Sequence, residues 1–193
     1  MEDHKVKDLM NPISEYNTID VNAQFCEALS ILKGNYEKTK SGKAGVFHKT
    51  LFVTDASKNI IGKIAMYDLV RGLVPEPAKK LEFARTFLNA LSSRSMEVAK
   101  EIGEMQERFK WVKSNFVDLA KAQAHKKVSQ IMTPVSPILA ENDSLTQAIY
   151  LMFKEGVREP LVMRGDKPVG VLNLMKILEE LMEVVGEECY VKW

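Results

Sequence analysis

Two copies of one short pattern predict an α+β fold: two β-α-β-β-α units packed as a pseudo-two-fold pair, with a helical hairpin inserted between them. Three observations carry this expectation. Val6-Lys-Asp-Leu-Met-Asn-Pro12 returns as Val128-Ser-Gln-Ile-Met-Thr-Pro134. After each opening, apolar residues recur at helical spacing, then in two short runs around a turn. A unit of about 60 residues buries too little surface to be comfortable alone, so the copies should pack face to face.

The elements follow in order. A short extended segment comes first, around residues 17–21 and 138–141. Phe25, Ala28, Leu29 and Leu32 then share one helix face, as do Leu145, Ala148, Ile149 and Met152 in the second copy. Asn22 and Asn142 stand where they can start these helices. Cys26 falls inside the first helix pattern and reads as a small core residue. Leu51-Phe-Val-Thr and Ile60-Ile-Gly-Lys-Ile-Ala65 flank a turn-rich stretch, matched by Pro160-Leu-Val-Met and Pro168-Val-Gly-Val-Leu-Asn173. Both read as strand hairpins. A second helix closes each unit, near residues 66–72 and 174–185. Residues 34–49, rich in Lys, Gly and Ser, read as a solvated loop. Their Ser41-Gly-Lys-Ala-Gly45 is no phosphate loop, because Glu37 and Ala44 replace its first Gly and its hydroxyl.

Residues 73–126 separate the units 5–72 and 127–185, and residues 186–193 form a tail. Pro77 is placed to begin a helix carrying Leu81, Ala84, Leu88 and Leu91. Val98, Ile102, Met105, Phe109, Val112, Phe116 and Leu119 then alternate spacings of four and three, a coiled-coil-like seam. A continuous helix from Met96 to Gln123 would be about 40 Å long. The hairpin is expected to pair with a second chain or an effector protein; folding back on its own core is the other reading.

Composition excludes several classes of function. The 193 residues are 46% hydrophobic, with 27 Lys and Arg against 26 Asp and Glu. A net charge of +1 provides no global field for nucleic acid or an acidic membrane. The insert is basic, but its Lys and Arg interleave with Glu as on a solvated face. No apolar run reaches the ~20 residues that span a bilayer. The charged start does not read as a secretory signal, and two cysteines suit a reducing cytoplasm. His4, His48 and His125 belong to no nucleophile or metal motif, so neither catalysis nor a metal is expected. Glu179, Glu180 and Glu183 read as a solvated helix face.

The paired Met-x-Pro openings, the element order and Gly62-Lys-Ile-Ala-Met-Tyr-Asp68-Leu together resemble a tandem cystathionine-β-synthase (CBS) domain pair. The resemblance implies a regulatory module that holds an adenosine-containing ligand (AMP, ADP, ATP or S-adenosylmethionine) between the units. The family pattern is Gly-h-h-Thr/Ser-x-x-Asp, where h is apolar. Its Asp accepts from both ribose hydroxyls, for which a carboxylate has two acceptor oxygens. The first copy keeps Gly62, Ile64 and Asp68 but has Ala65 in place of the hydroxyl. The second keeps Gly170, with Asn173 at the hydroxyl position and Lys176 at the Asp position. A ribose role fits Asp68 and not Lys176. Lys49 and Arg158 align as basic residues before the second strand; Arg158 offers a planar fork for phosphate, and His48 adds a contact. Alternatively, Arg158 pairs with Glu155 or Glu159, and Asp68 serves only the helix N-terminus. An adenine pocket is expected near Thr18, Ile19 and Leu139. Binding would shift the units and signal to a partner through the insert, in a homodimer joined by the CBS faces or the inserted helices. A ligand-free dimerisation scaffold with degenerate clefts is the competing expectation.

Overall fold

The computed structural model describes residues 4–42, 48–74, 110 and 112–186. The first part of the chain runs α1 (Val6–Leu9), β1 (Asn11–Pro12), a 3-10 turn (Ile13–Glu15), β2 (Thr18–Asp20), α2 (Phe25–Lys40), β3 (Thr50–Thr54), β4 (Ile60–Ala65) and α3 (Met66–Gly72). After α4 (Phe116–Gln123) come a second 3-10 turn (Val128–Gln130), β5 (Ile138–Ala140), α5 (Leu145–Lys154), β6 (Leu161–Arg164), β7 (Lys167–Val171) and α6 (Leu174–Gly186). The strand, helix, strand, strand, helix order is present twice, as the repeat predicts.

Two sheets result, ordered β2-β3-β4 and β1-β7-β6-β5. In each unit the first strand pairs parallel with the second, and the hairpin closes antiparallel. Thr18 opposes Phe52 as Ile138 opposes Leu161, and Lys63 opposes Phe52 as Val171 opposes Leu161. Lys63 and Val171 are therefore repeat counterparts, and by the same register Ala65 matches Asn173 and Asp68 matches Lys176.

The openings of the two copies are exchanged. Val6 and Leu9 of α1 are buried in the second unit's core with Leu139, Ala148, Met152, Val162 and Leu172. Val128 and Ile131 are buried in the first unit's core with Ile19, Phe25, Ala28, Leu51, Val53 and Ile64. Each such aliphatic side chain contributes about 1.5–3 kcal/mol by leaving water. Backbone bonds fix the exchange: Val6 N–H donates to Asp143 O at 3.0 Å, and Val128 N–H to Ala23 O at 2.8 Å. β1 then joins β7, with Asn11 opposite Val171 and Pro12 opposite Gly170. Correspondingly, Thr133 and Lys63 exchange two backbone bonds of 2.9 Å. A third cluster of Tyr16, Phe52, Leu161 and Val171 joins the two units.

Several local expectations are corrected. Gln24 and Ser144, not Asn22 and Asn142, start α2 and α5; Ser144 Oγ accepts from Gln147 N–H at 3.2 Å. Cys26 and Leu29 are exposed, because Phe25, Ala28 and Leu32 take the inward positions of α2. That helix also continues through Gly34 to Lys40, supported by Lys33–Glu37 and by Asn35 Nδ2 donating to Asn17 Oδ1 at 2.7 Å. Much of the expected loop is thus helical, and Ser41 ends a helix where a phosphate loop would open one. The long second helix of the insert is interrupted before α4, where Asn115 Oδ1 accepts from Val117 N–H and caps a new start. Residues 75–109, with most of the predicted hairpin, and the tail from residue 187 lie outside the described residues. Among the described residues, no helix is long and apolar enough to cross a membrane.

Candidate functional site

A cleft of about 610 Å³ opens between the two units. Lys63, Ala65, Asp68 and Arg71 line it from β4 and α3, and residues 155–159 line it from the loop after α5. Thr133, Pro134 and Ser136, just past the exchanged turn, complete the wall. The cleft is therefore composite, and the opening exchange is what assembles it.

Asp68 is buried, 6% exposed, in the first turn of α3. Its Oδ2 accepts from Ala65 N–H at 2.8 Å and from Thr133 Oγ1 at 3.4 Å. Burial pushes the carboxyl above its usual range, opposed by the Ala65 bond, Lys63, Thr133 and Arg71. Asp68 thus caps α3 and lines the cleft at once, because only one of its oxygens takes the cap.

Lys63 is nearly as buried, at 8% exposed, and its Nζ donates across the cleft to Glu159 O at 2.9 Å. Burial lowers its pKa, opposed by the Glu159 and Asp68 carboxylates. The Glu159 side chain accepts from Thr50 Oγ1 and, at 2.8 Å, from Asn173 Nδ2. Glu159 is therefore a polar clasp between the units. Arg71 and Arg158 line the cleft and form no ion pair among the described residues. The expected alternative pairing of Arg158 does not occur, because Glu155 sits at 3.8 Å from Lys154 and Glu159 is engaged by Thr50 and Asn173.

The sequence-predicted residues are only partly brought together. Asp68, Ala65 and Arg158 line the cleft. Gly62 lies beneath it, against Met132 and the Thr133 carbonyl. Ile19, Ile64 and Leu139 are buried in the two cores, and Thr18 is an exposed strand residue, so none of these four lines this cleft. Their place is taken by the 133–136 segment. Lys63, Thr50 and Thr133 were not expected in the site, and Glu159 was expected only as a partner for Arg158. The available signal was Lys63 itself, a charge at a position that the pattern gives as apolar.

At the pseudo-symmetric position, near Asn173, stands a tyrosine. Tyr16 is buried; Asn11 Nδ2 donates to its hydroxyl at 3.4 Å, and Asn173 also bonds it. Asn11 and Asn173 are the counterparts of Thr133 and Ala65, so the phenol is held by the residues that match two walls of the first cleft. Burial pushes its pKa up to about 12. His48 stacks on it at 4.2 Å and contacts Glu15 Oε2 at 3.2 Å. Lys176 bonds Glu179 at 2.7 Å, and Asn173 Oδ1 accepts from Met175 N–H. Exposed Lys49 precedes β3 on this side, as Arg158 precedes β6 on the other. Among the described residues no group of three His, Cys, Asp or Glu is disposed to hold a metal.

Residues 128–183 match the family model described as CBS domain. The CBS domain pair of protein MJ0100, solved with 5′-methylthioadenosine and S-adenosyl-L-methionine, superposes with a TM-score of 0.56 at 15% identity, covering 95% of this chain and 99% of that one. CBSX2, solved with AMP, gives 0.53 at 16% identity over 94% and 98%. The CBS-domain containing protein ATU1752 from Agrobacterium tumefaciens gives 0.53 at 15% over 91% of each chain. The fold is that of a tandem CBS pair. No curated protein matches the sequence. The family match lies on the second unit, whereas the aspartate of the ligand pattern lies on the first. The unmatched unit is the one with Lys63, Ala65 and a helix running on to Lys40.

Proposed function

We propose that this CBS pair is a non-catalytic regulatory module that binds one adenosine-containing ligand in the Asp68 cleft. The observation that carries the reading is a buried carboxylate on the wall of a 610 Å³ cleft built from both units. Its Oδ1 is outside the two recorded bonds, and each ribose hydroxyl can donate to a carboxylate. The neighbours solved with AMP and with S-adenosyl-L-methionine support an adenosine ligand of this class. A ligand gripping both walls favours one relative placement of the units, and it shifts that equilibrium by its difference in affinity for the alternatives. Signalling to a partner then runs through the insert.

Calorimetry with AMP, ADP, ATP and S-adenosylmethionine tests the site. Asp68→Ala is expected to abolish binding; Asp68→Asn, which still has one oxygen for the α3 cap, is expected to weaken it at least tenfold. Undiminished binding by both variants would remove Asp68 from the site. The scaffold reading is favoured by one observation, the buried Tyr16 phenol held by Asn11 and Asn173 at the second position, and it applies to that position alone.

Dimerisation completes the proposal. Tyr67 and Val70 on α3 and Leu174, Leu178 and Leu181 on α6 are exposed apolar side chains. They support a homodimer through these helices.

A further inference from the structure

We infer that Lys63 is the specificity-determining residue of the Asp68 cleft, selecting phosphorylated adenosine ligands over ones that carry a sulfonium. The inference rests on the adenosine reading above and adds the ligand's charge. Its starting point is a comparison inside the chain. Val171, the repeat counterpart of Lys63, is fully buried in the cluster that joins the units. An apolar side chain thus satisfies the packing at the counterpart position, and a lysine adds the cost of desolvating its charge, which the single bond to the Glu159 carbonyl offsets only in part.

That charge is incompletely matched. An ammonium carries three N–H groups, and the one recorded acceptor of Lys63 is the Glu159 carbonyl at 2.9 Å. No carboxylate lies within ion-pair distance of it among the described residues; Asp68 and Glu159 act on it from farther away. Arg71 and Arg158 line the same cleft, also without ion pairs. An anionic group would give these three cations a common partner. S-adenosylmethionine instead brings a sulfonium and an ammonium against one carboxylate, adding positive charge beside Lys63.

Calorimetry on the full chain with adenosine, AMP, ADP, ATP and S-adenosylmethionine tests this, comparing wild type with Lys63→Val and Lys63→Met. Val is already tolerated at the counterpart position, and Met keeps the length of the stem. Melting curves verify folding. Wild type is expected to bind the best phosphorylated ligand at least tenfold more tightly than S-adenosylmethionine. Both variants should lose at least tenfold for that ligand, and more than they lose for adenosine, whose loss is confined to the weaker ionisation of Asp68 once Lys63 is gone. Inorganic pyrophosphate, which lacks a ribose, should raise the Tm of wild type more than that of either variant. If adenosine binds and phosphates add nothing, the Asp68 reading stands and the Lys63 inference falls. A Lys63-dependent pyrophosphate response without adenosine binding overturns the ribose site and, with it, the inference that Lys63 selects among adenosine ligands. Equal preference in wild type and both variants overturns the inference, as does the absence of any binding.

Discussion

Asp68 and Lys63 are buried groups of opposite charge whose protonation shifts in opposite directions, and that sets a pH dependence. Burial raises the Asp68 pKa in the folded chain above its unfolded value. Between those values the folded state holds a proton that the unfolded state has released, so this group's contribution to stability falls as pH rises through that window. Affinity for adenosine runs the other way, because the ribose hydroxyls donate to the ionised carboxylate. It is expected to strengthen as pH rises through the raised pKa. Burial lowers the pKa of Lys63, so between that value and 10.5 the unfolded state holds more protons and stability rises with pH. Affinity for phosphate should weaken over the same alkaline window. Titration calorimetry across pH should thus show an acid limb that Asp68→Asn removes and an alkaline limb that Lys63→Val removes. A flat wild-type profile would contradict the burial of both charges. The sequence made Asp68 legible through its spacing from Gly62. It left Lys63, Thr133 and Glu159 illegible, because their meeting depends on segments 70 to 96 residues apart.

Among the elements, the exchanged openings hold the cleft together, and two glycines permit the exchange. A Cβ on Gly170 would lie 2.6 Å from Met10 Sδ and 2.8 Å from the Asn11 carbonyl oxygen. On Gly62 it would lie 2.8 Å from Met132 Sδ and 3.1 Å from the Thr133 oxygen. Overpacking of this kind costs about 1–3 kcal/mol. Gly170→Ala should fall near the upper end, because a backbone oxygen cannot swing aside as a thioether can. Gly62→Ala should be milder and partly relieved by Met132→Ala, a double-mutant comparison made by denaturant unfolding. Equal losses without relief would show that these contacts do not set the register. The hairpins and the closing helices were legible, since each is a local pattern of period two or a one-faced helical stripe. The exchange was not, because Val6 and Leu9 have the spacing of a local helix whichever unit they bury against. Nor did composition reveal that α2 would run through Gly34: ion-pair and amide contacts on its exposed length hold a helix where Lys, Gly and Ser suggest a loop.

At the scale of the whole molecule, near-symmetry in the backbone coexists with asymmetry in the side chains. The first unit presents a carboxylate and a lysine where the second presents Lys176 and Val171, and Tyr16 is buried beside the second position. The chain carries two extra residues between Pro12 and β2 relative to the stretch between Pro134 and β5; they accompany the 3-10 turn that leads into Tyr16. On the proposed site, one ligand per chain is the expected stoichiometry, however many chains assemble. The Asp68 cleft is built from the described residues of one chain, so it does not need a second copy to be complete. The proposed dimerisation through α3 and α6, by contrast, would depend on side chains such as Leu178, which is 43% exposed. Sedimentation of wild type is expected to show two chains per particle with one ligand bound to each. Leu178→Glu, placing a charge on the α6 face, should yield a single chain that still binds one ligand with affinity changed less than about threefold, a shift below 1 kcal/mol. Two ligands per chain would mean that Tyr16 yields its place. Loss of binding by a well-folded single-chain Leu178→Glu would mean that the neighbouring copy shapes the cleft.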